Sequence, residues 1–159
     1  MKWFRNLICV ETEKGQYEGV VCHDGGALQK NGELLIKHYN NREKVKELLS
    51  HNNIDFLGKS INETVFSNDG GNKNWNLSFM NEDYYSEIPY CYVYTLDNEW
   101  KYLNFWKEKN VELKSVKRLL EDIYESEAIS TVKELKDIFA KLNSTGKRNV
   151  CILLDEFLN

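Results

Sequence analysis

Short apolar runs separated by polar, glycine-bearing turns occupy the first part of the chain. Leu7-Ile8-Cys9-Val10 and Tyr17-Glu18-Gly19-Val20-Val21-Cys22 read as two strands of a hairpin, joined by the polar stretch from Glu11 to Gln16. The second strand runs into an Asp24-Gly25-Gly26 turn. A helix is predicted next, turning Leu28, Leu35 and Tyr39 toward the core. Asn40-Asn41 interrupts it, and Asn41 is the expected N-cap of a second helix over 42–50, where Val45, Leu48 and Leu49 form one stripe. Asn53 to Gly58 reads as a short link with Ile54 and Leu57 tucked inward. A turn at 68–72 is expected between strands at Val65-Phe66 and 75–79. The lone proline, Pro89, precedes the strongest strand pattern, Tyr90 to Leu96, which a turn at Asp97-Asn98-Glu99 pairs with Trp100 to Phe105.

Beyond Lys107 the period changes from two to 3.6. Leu113, Val116, Leu119, Leu120, Ile123 and Tyr124 share one helical face. Ser126 to Ser130 reads as a break, with Thr131 and Glu134 as a capping box for a second helix bearing Val132, Leu135, Ile138, Phe139 and Leu142. Ser144-Thr145-Gly146 is the expected stop, and Val150 to Leu158 suits a short helix better than a strand. The predicted fold class is therefore α+β: an antiparallel sheet with helices packed on one face over 1–106, plus a helical C-terminal extension over 107–159.

Composition narrows the function classes. A chain of 159 residues with 42% hydrophobic content can build a core, and a net charge of −4 lacks the basic footprint of a general nucleic-acid binder. Direct nucleic-acid binding is not expected. No stretch approaches the roughly 18 apolar residues of a membrane span, and Met1 to Asn6 has no apolar run of leader type. Cys9, Cys22, Cys91 and Cys151 are scattered without a CxxC pair, which suits free thiols in a reducing cytoplasm rather than a zinc module or a disulfide framework. No metal and no cofactor are expected.

The densest collection of reactive groups runs from Cys22 to Val45. Adjacent strand residues point to opposite faces, so Cys22 and His23 do not form a catalytic dyad within a regular strand. His23 could meet Asp24 or His38 near the turn, and Cys22, His23, Asp24 and His38 are all zinc-ligand types, although no second paired motif sets a geometry. No catalytic residue is assigned. The Gly25-Gly26 turn could expose backbone N–H groups to an anion, and Arg42 with His38 is the better phosphate or carboxylate partner. Alternation places Tyr90, Tyr92 and Tyr94 on one sheet face, which is either a binding platform or a helix-covered surface. Glu121, Asp122, Glu125 and Glu127 cluster in the helical extension, as a solvated face or a contact for a basic partner.

Cys22, His23, Asp24, Gly25, then Gly32, Leu34, Leu35, then His38-Tyr39-Asn40, Arg42-Glu43-Lys44-Val45, and finally Leu57-Gly58 resemble a family of accessory proteins from phages and other mobile elements. The pattern of that family is close to C-H-W-D-G-Y-P, G-x-x-L-L, H-Y-N-x-R-E-K-V and L-G. The hairpin from Tyr92 to Trp100 resembles the end of the same module. This chain lacks the aromatic between His23 and Asp24, and Gly26 stands where the pattern has Tyr-Pro. The resemblance covers 1–106 and implies a small protein of the host-cell cytoplasm that interferes with host machinery. On that reading it binds and inhibits a host protein or ribonucleoprotein complex, such as a CRISPR effector, in the manner of an anti-CRISPR. The candidate ligand or partner contacts are His23, Asp24, His38, Arg42, Tyr92, Trp100, Glu121 and Glu125. The alternative is a protein that sequesters or cleaves a signalling nucleotide, using Arg42, His38 and the Gly25-Gly26 turn.

Overall fold

Strand β1 (Asn6–Glu13) lies at the centre of the sheet, and its sequence explains why. Leu7, Ile8, Cys9 and Val10 are all buried, because a strand covered on both faces needs a continuous apolar run rather than an alternating one. The computed structural model of the chain describes residues 5–77, 87–105 and 112–158, with side chains through residue 154. Its contacts divide the chain into two units, Met1–Leu120 and Glu121–Asn159.

In the first unit β1 pairs antiparallel with β2 (Gln16–Cys22), as the hairpin pattern predicts. A helical turn, Leu28–Gly32, continues into α1 (Glu33–His38), and α2 (Arg42–Leu49) follows. The expected cap is present: the Asn41 side chain accepts the Lys44 N–H at 2.9 Å. The chain then forms β3 (Ile54–Phe56), a single turn at Ile61–Glu63, β4 (Val65–Phe66) and β5 (Lys73–Trp75). Strands β6 (Tyr90–Tyr94) and β7 (Trp100–Asn104) make the second predicted hairpin, and β8 (Lys114–Ser115) closes the edge. The order is β4-β3-β2-β1-β6-β7-β8, with β5 also pairing β2.

The α+β class holds, but the sheet is mixed rather than antiparallel. Strands β1 and β6 run parallel, as do β2 and β3. Periodicity reveals local hairpins, whereas the β1–β6 pairing joins segments some eighty residues apart and leaves no local trace. Ile54 to Phe56 is a strand, not a link. Strands β4 and β5 pair with β3 and β2 instead of with each other, and residues 78–79 of the expected 75–79 strand lie outside the described residues.

Both sheet faces are covered. On one, Ile8, Val20, Cys22, Tyr92 and Tyr94 pack against Leu35, Tyr39, Val45, Leu48 and Val116, so α1, α2 and the start of the next helix lie on this face. Leu7, Cys9, Cys91, Val93 and Leu103 face the other way with Leu77 and Ile88. Helix α3 (Val116–Lys141) begins in the first unit, where Val116 and Leu120 are buried.

The second unit is a helical hairpin of the remainder of α3 and α4 (Ser144–Leu158). Two sequence expectations fail here. The predicted break at 126–130 is continuous helix: Thr131 donates its hydroxyl to the Glu127 carbonyl one turn back at 2.9 Å, so it is satisfied inside the helix and caps nothing. Ser144-Thr145-Gly146 begins α4 instead of stopping α3, because the Asn143 side chain accepts the Gly146 N–H at 2.8 Å. Among the described residues no helix is long and apolar enough to cross a membrane.

Candidate functional site

Cys22, Asp24, Tyr39 and Arg42 of the Cys22–Val45 stretch are engaged in holding the fold. At the end of β2 the buried Asn6 side chain donates to the carbonyls of Cys22 (3.3 Å) and Asp24 (3.2 Å), and Asn31 donates to the same Asp24 carbonyl at 2.9 Å. The Cys22 thiol donates to the Asp24 carbonyl at 3.1 Å. Burial pushes this thiol up to about 11, so at neutral pH it is protonated and not a nucleophile. Gly25 adopts φ +77°, and a Cβ there would sit 2.6 Å from the Asn31 amide oxygen, which explains a glycine at this turn. Asp24 pairs with Lys30 at 2.5 Å, and Lys30 also lies over the Phe56 ring. His23 joins β2 to β3 through its backbone N–H, which donates to the Ile54 carbonyl at 2.7 Å. Its Nε2 is buried without a hydrogen-bond partner, alone in this among side-chain atoms of the described residues.

The second half of the motif is a latch between helices and sheet. The Tyr39 hydroxyl lies 3.1 Å from both the Gly58 carbonyl and the Thr64 hydroxyl. Gly58 is pressed so closely on the next turn that a Cβ would stand 2.4 Å from the Glu63 carbonyl carbon. Arg42 donates to the carbonyls of Glu11 (3.0 Å) and Thr95 (2.8 Å), bracketing the ends of β1 and β6, while its guanidinium lies over Tyr94. Two of its five N–H donors are thereby committed to backbone. Arg42, expected as an anion ligand beside His38, points these two donors at the sheet ends.

Of the two readings of the tyrosine face, the structure has the helix-covered one for Tyr92 and Tyr94. Tyr92 is fully buried and donates to the Gly26 carbonyl at 2.9 Å, and the Tyr94 hydroxyl reaches the Asn40 carbonyl. Trp100 is buried and donates its indole N–H to the Tyr39 carbonyl at 2.8 Å. Helices α1 and α2 cover this face, so Tyr92 and Trp100 are core contacts and not a binding surface.

Two open features remain. His38 lines a polar cleft of about 320 Å³ with Lys44, Glu47, Lys59, Ser60 and Asn62. The lysines are additions the sequence reading missed, since Lys44 and Lys59 lie fifteen positions apart and meet only in the fold. Within the second unit, Val132, Leu135, Ile138 and Phe139 of α3 face Val150, Cys151 and Leu154 of α4 across an apolar groove of about 490 Å³. Leu135 is 59% exposed, Ile138 57% and Leu154 53%. An apolar stripe this open on a helical hairpin is unusual for a surface that stays in water. Glu121 and Glu125 stand exposed one turn apart on the same α3.

Against known protein families, curated proteins and solved structures, the chain has no significant match.

Proposed function

We propose that this chain works by stoichiometric protein binding, with the α3–α4 hairpin as its docking element. The observation that supports this is the open apolar stripe, whose leucine and isoleucine side chains remain about half exposed. Such a stripe gains free energy on being covered by another protein surface. The motif-bearing unit is then the scaffold, with Cys22, Asp24, Tyr39 and Arg42 engaged in turns and latches. The resemblance to phage accessory proteins supplies the direction: the assembled protein inhibits a host macromolecule, a CRISPR effector being the candidate. Glu121 and Glu125, exposed at the start of the hairpin, suit a basic surface on such a target.

Native mass spectrometry of the full chain recovered from bacterial cytosol tests the docking role. The expected result is a stoichiometric protein complex that Leu135→Glu disperses. A lone 18.7 kDa species, or a complex that the substitution leaves intact, would overturn it.

The polar cleft favours a second reading, binding of a small anion such as a nucleotide. His38, Lys44 and Lys59 bring cationic or hydrogen-bonding groups together beside Ser60 and Asn62. Calorimetric titration with nucleotides, comparing the chain with Lys59→Ala, separates the two readings, since the docking reading expects no heat in either.

A further inference from the structure

Resting on the docking role of the hairpin, we infer that its occupant is a second copy of this chain, with the two α3 helices antiparallel. Tyr124, Ala128, Thr131, Leu135, Ile138 and Leu142 recur at alternating steps of four and three, the spacing of a coiled-coil seam. The continuous helix from Val116 to Lys141 presents the seam through Ile138 on one side, and Leu142 extends it just past the helix end. Tyr124, Leu135 and Ile138 are each between 44% and 59% exposed.

Charge sets the direction. Residues 121–130 contain four acids and no base, whereas the rest of α3, 131–141, contains three bases and two acids. Parallel pairing would set acid against acid. Antiparallel pairing lays the acidic half of each helix along the lysine-bearing half of its partner, so the surface is complementary to itself under a two-fold axis. Large and small side chains choose the register. Centring the axis at Lys133 puts Tyr124 opposite Leu142, Ala128 opposite Ile138 and Thr131 opposite Leu135. The same register brings Glu127 beside Lys141 twice by symmetry, against one contact of Glu134 with its own copy at the axis.

The product is a four-helix bundle built from two hairpins, in which the apolar groove is filled by the partner's α3.

Sedimentation equilibrium of the full chain over a wide concentration range tests this. The expected species is a dimer, with Leu135→Glu raising its dissociation constant by more than a hundredfold and leaving the circular dichroism unchanged, because Leu135 is exposed within the protomer. Glu127→Lys alone and Lys141→Glu alone are each expected to weaken the dimer by about tenfold, and the double swap to restore it. A monomer throughout overturns the second copy as occupant. A complex with another protein that still depends on Leu135 would leave the docking role standing, and the loss of both removes that role too. A dimer in which the two reversals add instead of cancelling overturns the antiparallel register.

Discussion

Arg42 offers the sharpest separation of a structural latch from a ligand contact. Truncation to alanine removes two charge-assisted hydrogen bonds, to the Glu11 and Thr95 carbonyls, and the guanidinium over the Tyr94 ring. Hydrogen bonds from a charged donor contribute about 1.5–3 kcal/mol each, and the lower end applies because Arg42 is only half-buried. The ring contact adds about 0.5–1 kcal/mol. The expected loss is therefore about 3–4 kcal/mol, a drop of roughly 10 °C in Tm for a chain of this size. Arg42→Lys keeps the charge but loses the planar fork, so it reaches one carbonyl and recovers roughly half of the loss. Urea unfolding followed by tryptophan fluorescence reads both variants, since Trp100 is buried beside Tyr39. A loss below about 1 kcal/mol for alanine, or full recovery by lysine, would refute the latch.

Three further outcomes follow from the same geometry. The Cys22 thiol, near 9 when unfolded and pushed up to about 11 in the fold, keeps its proton longer in the native state. Its contribution is intact below pH 9 and falls by about 3 kcal/mol as pH rises toward 11, so urea midpoints should decline more steeply in the parent than in Cys22→Ala. Tyr92→Phe leaves the Gly26 carbonyl without its buried donor and should cost about 1–2 kcal/mol by the same urea assay; an unchanged midpoint would contradict that bond. Thiol labelling of the native full chain under monomeric conditions should modify Cys151, which is exposed, while Cys9, Cys22 and Cys91 react only on unfolding; mass spectrometry of the labelled peptides decides it.

How much of this was legible in the sequence depends on the range of each interaction. Both hairpins, the Asn41 cap and the Val45-Leu48-Leu49 stripe are local patterns, and each is found where its pattern places it. The parallel pairing of β1 with β6 is long-range and has no local signature. For the motif, residue types suggested chemistry because Cys, His, Asp and Arg serve catalysis and architecture equally. Only packing shows that Arg42 reaches two sheet ends and that Cys22 is sealed beneath Asn6 and Asn31. Along α3, Ser126, Ser130 and Thr131 resemble a cap, yet a hydroxyl that bonds the carbonyl one turn back lets the helix continue. The expected break concealed the heptad spacing that runs through the continuous helix from Tyr124 to Ile138, the signal by which the proposed docking seam could have been found.

The central claim is that the hairpin's apolar seam is covered by a second chain. Light scattering on the full-length protein and on Leu135→Glu at matched concentration addresses it most directly. A seam covered by a second chain gives twice the 18.7 kDa chain mass for the parent and a single chain mass for the variant. Equal masses for the two proteins, whether monomeric or dimeric, would contradict it.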